Sequence, residues 1–196
     1  MKRFDKILDF KPTGLKIEKG KLLLSEPFLK DYFFKRSVIL MLDHDEFGSM
    51  GIIINRETEY SISDLVDDFP EFDSKVFLGG PVQTENIFIL HRKGDLINGS
   101  QEIMPGLYWG GDFEQIKEMI RLGVLKNTDL RFYLGYSGWS KGQLQNELTE
   151  NSWIVAESKY EYIFANQPKD LWKEILEIYG DDYEMWINFP VDPQEN

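Results

Sequence analysis

Three consecutive isoleucines, Ile52, Ile53 and Ile54, stand between Gly51 and Asn55. Neighbouring side chains of a strand point to opposite faces, so an unbroken aliphatic triplet needs apolar cover on both sides. The segment therefore reads as a central strand of a sheet, buried in full. Residues 37–42 form a second aliphatic run, and the polar Asp43-His44-Asp45-Glu46 with Gly48 separates the two. Two such runs joined by a Gly-containing loop predict an antiparallel hairpin.

Shorter apolar runs at 22–24, 76–78, 87–90, 130–134 and 153–156 predict further strands. Pro27 disfavours helix just before it, and Gly79-Gly80-Pro81 separates two of the runs. Ser61 and Ser63 offer N-caps for a short helix through Leu65 and Val66, closed before Pro70. Asp112 caps a helix whose Phe113, Ile116, Met119 and Ile120 follow helical spacing, with Gly123 as its stop. A short helix is read over 142–148. A last one starts at Pro168, with Leu171, Trp172, Ile175, Leu176 and Tyr179 on one face and Gly180 at its end. The alternation is not βαβ, so the class is α+β, in a single domain over 1–196. Residues 1–20 read as a basic, loosely ordered lead-in and 188–196 as an acidic tail.

A 196-residue chain with 42% hydrophobic residues buries a full core without staples. It has no cysteine, which removes disulfides and thiolate chemistry. No apolar signal-peptide core is read near the N-terminus and no run approaches the length of a membrane span, so the expected place is the cytoplasm, with no membrane contact. Net charge is −12, but residues 1–36 carry +5 and the other 160 carry −17. An acidic body repels phosphate backbones, so direct nucleic-acid binding is disfavoured, with the basic arm (Lys2, Arg3, Lys6, Lys11, Lys16, Lys19, Lys21) as the one place for it.

Four blocks in order carry a family resemblance. They are Gly20 to Pro27 with Phe34 to Val38; His44, Gly48, Gly51 and Asn55-Arg56; Phe77 to Val82 with Leu90-His91; and Leu134 to Trp139 with Gly142-Gln143-Leu144, Glu147 and Ser152-Trp153. Together they resemble the YqgE/AlgH family of bacterial proteins. The resemblance implies a compact α+β fold with a bent, mostly antiparallel sheet closing toward a barrel and flanked by helices. It implies no settled activity; the label of transcriptional regulator on some members is a genetic inference. The chain departs from the family in Glu57, where Pro usually follows Asn-Arg, and in Ser137, where Ala is common.

That last departure bears on chemistry. Gly135-Tyr136-Ser137-Gly138-Trp139 approaches a nucleophile elbow, but Trp139 replaces the final Gly, and a nucleophile is not exchangeable for Ala. No phosphate loop or dinucleotide fingerprint is present, and neither a cofactor nor a catalytic residue is assigned. His44 and His91, each after an apolar run, could act with Asp43, Asp45 or Glu46 as an acid–base or metal group, but an acidic solvated turn has the same composition. Gly79-Gly80 serves either a tight turn or close approach by a ligand. Tyr108, Trp109, Tyr136 and Trp139 fall in Gly-rich segments, read as loops that plug or line a pocket. Arg56 fits an anion or an internal salt bridge.

The expected functional surface is His44, Arg56, Gly79, Gly80, His91, Tyr136 and Trp139, converging on one face. The reading is a non-enzymatic module binding a small ligand or protein partner. Its alternative is a hydrolase using His44 and His91 with a carboxylate; an indirectly acting transcriptional regulator is a weaker third, since no helix-turn-helix is read.

Overall fold

The computed structural model describes residues 13–189 except 28, 30, 32, 166 and 167. One curled sheet dominates it. Its strands are β1 (Leu22–Ser25), β2 (Val38–His44), β3 (Gly48–Ile53), β4 (Glu57–Ser61), β5 (Lys75–Leu78), β6 (Val82–His91), β7 (Ser100–Met104), β8 (Leu107–Gly110), β9 (Leu130–Ser140) and β10 (Trp153–Ala156). The order is β10-β1-β2-β3-β9-β6-β8-β7, with β5 parallel to β9 and β4 antiparallel to β5; every other pairing is antiparallel. The helices are α1 (Ile62–Leu65), α2 (Phe113–Arg121), α3 (Gln143–Thr149), α4 (Tyr160–Ile163), α5 (Leu171–Ile178) and α6 (Glu184–Ile187). None is long and apolar enough to cross a membrane.

The isoleucine triplet lies where its composition requires. Ile52, Ile53 and Ile54 are fully buried, and β3 runs between β2 and β9. Ile52 and Ile54 join one core cluster with Leu22, Leu40 and Tyr133, while Ile53 joins another with Ile39, Trp139 and Trp153. Covering both faces of such a triplet contributes roughly 2–3 kcal/mol per side chain. A third cluster, under α2, collects Val76, Ile89, Ile116 and Phe132. One core thus fills the inside of the curl and two smaller ones cover its outside.

The bend is made in β9. Residues 132–134 of β9 pair with β5 and residues 137–140 with β3, and Gly135 between them has φ +65. A left-handed residue in mid-strand turns the chain from one half of the sheet into the other.

Helix starts follow their chemistry. Ser61 and Asp64 form a capping box on α1, so Ser61 rather than Ser63 is the cap. Asp112 accepts from Gln115 N at the start of α2. Pro168 lies in a 3-10 turn, and α5 begins three residues later than its sequence suggests.

Three other expectations are corrected. Thr13 to Gly20 are not loose: Thr13 Oγ1 donates to Val155 O at 2.6 Å, and Leu15 and Ile17 pack against the cluster around Trp153. Residues 1–12 lie outside the described residues. Gly180, at φ +89, follows the end of α5 as its sequence suggests, and beyond it Tyr183 and Trp186 are buried in the main cluster; of the acidic tail, 190–196 lie outside the described residues. Tyr108 and Trp109 are in β8, and Tyr136 to Trp139 are in β9, not in loops.

Candidate functional site

The last third of β9 brings three elements together. Trp139 is opposite Ser49 of β3, which is opposite His44 of β2. After Ser140, Gly142 turns the chain into α3, and β10 follows with Trp153. Phe34, preceding β2, closes an aromatic trio. Its ring stacks on Trp139 at 6.3 Å and meets Trp153 edge-on at 5.5 Å, while the two indoles cross at 5.9 Å.

One carboxylate fixes both indoles. Glu147 Oε2 accepts from Trp139 Nε1 at 2.8 Å and from Trp153 Nε1 at 2.7 Å. Its Oε1 accepts from Gln143 Nε2 at 3.0 Å, and Gln143 Oε1 accepts from the Ser140 N–H at 3.0 Å. Charge-assisted bonds of this kind hold a donor's orientation, so the cluster is rigid. It walls a cleft of about 560 Å³ whose charged lining is Glu26, Asp31 and Glu147, with no Lys, Arg or His among the described lining residues. Burial raises the Glu26 carboxyl above its usual range. A second cleft, of about 440 Å³, opens on the other side of Gly138 and Trp139, lined by Asp43, Asp45, Ser49 and Tyr136.

The expected surface residues separate into groups. Gly79, Gly80, Tyr136 and Trp139 lie together. The glycines there face β9 rather than a ligand: a Cβ on Gly79 would stand 2.3 Å from Gly135 O, and one on Gly80 2.2 Å from the Tyr136 carbonyl carbon. Tyr136 is half-buried against Phe88, and Trp139 is buried, with 6% of its surface exposed. Ser137 is fully buried and donates to Gly79 O at 3.2 Å.

His44 and His91 do not converge. His91 is opposite Leu130 at the start of β9, whereas His44 is level with Trp139, roughly 30 Å of strand away. The His44 ring bonds Ser49 Oγ at 2.7 Å and lines a separate cleft with Lys16, Gln145 and Trp153. His91 is fully buried on Tyr108, and both its nitrogens are occupied. Nδ1 accepts from Lys93 N at 3.2 Å; Ser100 Oγ donates to Ile97 O, so Nε2 carries the proton toward Ser100 Oγ at 3.0 Å. Burial lowers its pKa to about 4. A hydrolase built on both histidines has no common site in this geometry. Among the described residues, no group of three or more His, Asp or Glu is set to hold a metal. Arg56 donates from Nη2 to Lys35 O at 2.9 Å, clamping the turn before β2.

Phe34 is far in the chain from Glu147 and Trp153, and no spacing marks the three as one cluster. The signal available was chemical: two tryptophans flanking a short helix that carries a lone glutamate.

Both the ordered blocks and the curled sheet now have counterparts. A family model described as AlgH-like matches residues 22–184. The chain belongs to the YqgE/AlgH family. A UPF0301 protein of Chlorobaculum tepidum is 41% identical over 180 residues, covering 92% of this chain and 96% of that relative. One of Bacteroides thetaiotaomicron is 44% identical over 179 residues, 91% of each. The solution structure of the AlgH protein from Pseudomonas aeruginosa superposes with a TM-score of 0.72 at 24% identity, covering 92% of this chain and 98% of AlgH. A crystal structure of a Corynebacterium diphtheriae protein gives 0.74 at 18%, covering 93% and 97%. These two similarities are of fold. In the YqgE/AlgH chain described above, the block Leu134 to Trp153 that carried the resemblance is the one that builds the Trp139–Glu147–Trp153 cluster.

Proposed function

We propose that this YqgE/AlgH protein is a non-enzymatic cytoplasmic binding module, and that the cleft over Phe34, Trp139 and Trp153 takes a cationic group from a small ligand or a protein partner. The observation that carries this is the lining: three aromatic residues and three carboxylates, with no described cation among them. Aromatic walls attract cations by about 0.5–2 kcal/mol, more as water is excluded. Burial raises the Glu26 carboxyl, and an approaching cation works against that shift by favouring the charged form. Rigid indoles lose little entropy on contact, which suits binding better than turnover.

Titration of the full chain with tetramethylammonium and with arginine amide, followed by tryptophan fluorescence, tests the reading. Saturable quenching by both is expected, weakened several-fold in a Glu26→Gln, Asp31→Asn double variant. Glu147 is left intact because it holds the indoles. Equal responses to acetate and to the cations, or no effect of the double variant, would overturn it.

A further inference from the structure

A fourth cleft differs from the other three in being lined by two arginines. It lies toward the start of β9, where Arg131 is the second residue, and beside Arg92, which follows β6. Both guanidinium groups are half-buried and rest on aromatic rings. Arg92 stands 4.1 Å from the Phe164 ring centre and 4.6 Å from that of Tyr160; Arg131 stands 4.6 Å from Phe77 and 5.8 Å from Phe164. Neither forms an ion pair among the described residues, although the chain carries 34 acidic residues against 22 basic ones. Arg131 Nη2 donates to Ala165 O, and the Arg92 side chain donates to no described group.

Buried charges are ordinarily paired, and a buried donor without an acceptor is costly. Of the five buried side-chain polar atoms lacking a hydrogen-bond partner among the described residues, two belong to residues lining this cavity, Arg92 Nε and Arg131 Nη1. Tyr133 Oη lies beside Arg131, whose guanidinium offsets part of the burial that pushes the hydroxyl pKa up to about 12. The two arginines line a cavity of about 360 Å³ with Phe77, Phe164, Ser74 and Thr128. Glu57, Asp73 and Lys75 complete its charges; Lys75 Nζ is engaged with Glu59 O, and neither carboxylate is bonded to an arginine.

We infer that this cavity is an anion site for a small molecule bearing a carboxylate or phosphate group, whose apolar part lies on Phe77 and Phe164. Two guanidinium groups line one cavity, each over aromatic rings and each with an unpartnered N–H, which is an arrangement that recognises an oxyanion by more than one hydrogen bond. An acidic molecule repels anions at long range, so attraction here comes from these local donors and not from a general positive field. The site is independent of the Trp139 cleft.

Its test is the nuclear magnetic resonance of the arginine Nε–Hε groups in the full chain, titrated with sodium phosphate and, separately, sodium benzoate, at ionic strength held constant with sodium chloride. The Arg92 and Arg131 signals are expected to move together with a single midpoint. The arm with the tighter midpoint identifies phosphate or carboxylate. Arg92→Gln removes no described hydrogen bond; it should leave the backbone amide spectrum folded and shift the midpoint roughly tenfold or more, as loss of a charge-assisted contact implies. The Glu26→Gln, Asp31→Asn variant should leave that midpoint unchanged. Three outcomes would overturn the inference: static signals, as when water alone satisfies the donors; movement that chloride reproduces, an adventitious ion only; or an unchanged midpoint in Arg92→Gln.

Discussion

At His91 the surroundings decide the charge. The ring is buried, its Nδ1 already accepts a backbone N–H, and protonating it would set two N–H groups against each other. Its pKa is therefore about 4 in the folded chain, against about 6.5 when unfolded. The sign of the linkage follows. Above pH 6.5 the ring is neutral in both states and the folded chain has its full stability. Between pH 6.5 and 4 the unfolded chain takes up the proton first, and stability falls; below pH 4 this contribution is spent. The drop amounts to about 3 kcal/mol at 1.36 kcal/mol per pKa unit. Urea unfolding at pH 8, 5.5 and 4 measures it, and His91→Gln, which cannot titrate, should flatten the slope in that window. An identical slope in the variant would assign the acid sensitivity to carboxylates instead.

Among the elements, the crossing of the Gly79-Gly80 segment over β9 governs the curl. Gly79 N donates to Leu134 O, Ile53 N donates to Gly79 O, and the Gly135 bend lies directly beneath. There is no room for a methyl group, and the obstructing atoms are backbone, which cannot rotate aside. Gly80→Ala should therefore destabilise the chain by about 1–3 kcal/mol or more, the range for overpacking. Gly123→Ala, at φ +70 with nothing within 4 Å of its Cβ, should cost about 1 kcal/mol from backbone strain alone. Matched denaturant midpoints decide it, and equal losses would show that the crossing tolerates a side chain. The same residues mark where sequence reading stopped. The hairpin of β2 and β3 and the amphipathic α2 were legible because a doubled aliphatic run and a 3.6-residue period each admit one reading. The far end of β9 was not, because Gly135 and Gly138 punctuate a strand as they would a loop. β7, β8 and α6 are short and carry no period. The convergence expected of His44 and His91 failed for a related reason. Position after an apolar run places a residue at a strand end, but only register tells which end of the sheet that is.

Charge at the scale of the whole molecule bears on nucleic acid. The +5 of residues 1–36 is set against −17 on the rest, and within the described residues the sheet displays its acids in clefts such as that over Trp139. A duplex approaching the body meets like charge, and the Arg92–Arg131 cavity, at about 360 Å³, admits a small group rather than a strand. Any affinity for DNA therefore rests on the basic arm, four of whose cations, Lys2, Arg3, Lys6 and Lys11, lie outside the described residues. Binding that is purely electrostatic and rests on few phosphate contacts has a weak constant and is lost as salt rises. Binding should be measurable at low salt, vanish near physiological salt, and disappear at both when residues 2–11 are deleted. Fluorescence anisotropy of a labelled duplex at the two salt concentrations, with and without the deletion, is sufficient. Tight binding that survives the deletion would place a nucleic-acid surface on the acidic body, against its field, and would require base or shape contacts that the charge distribution gives no reason to expect.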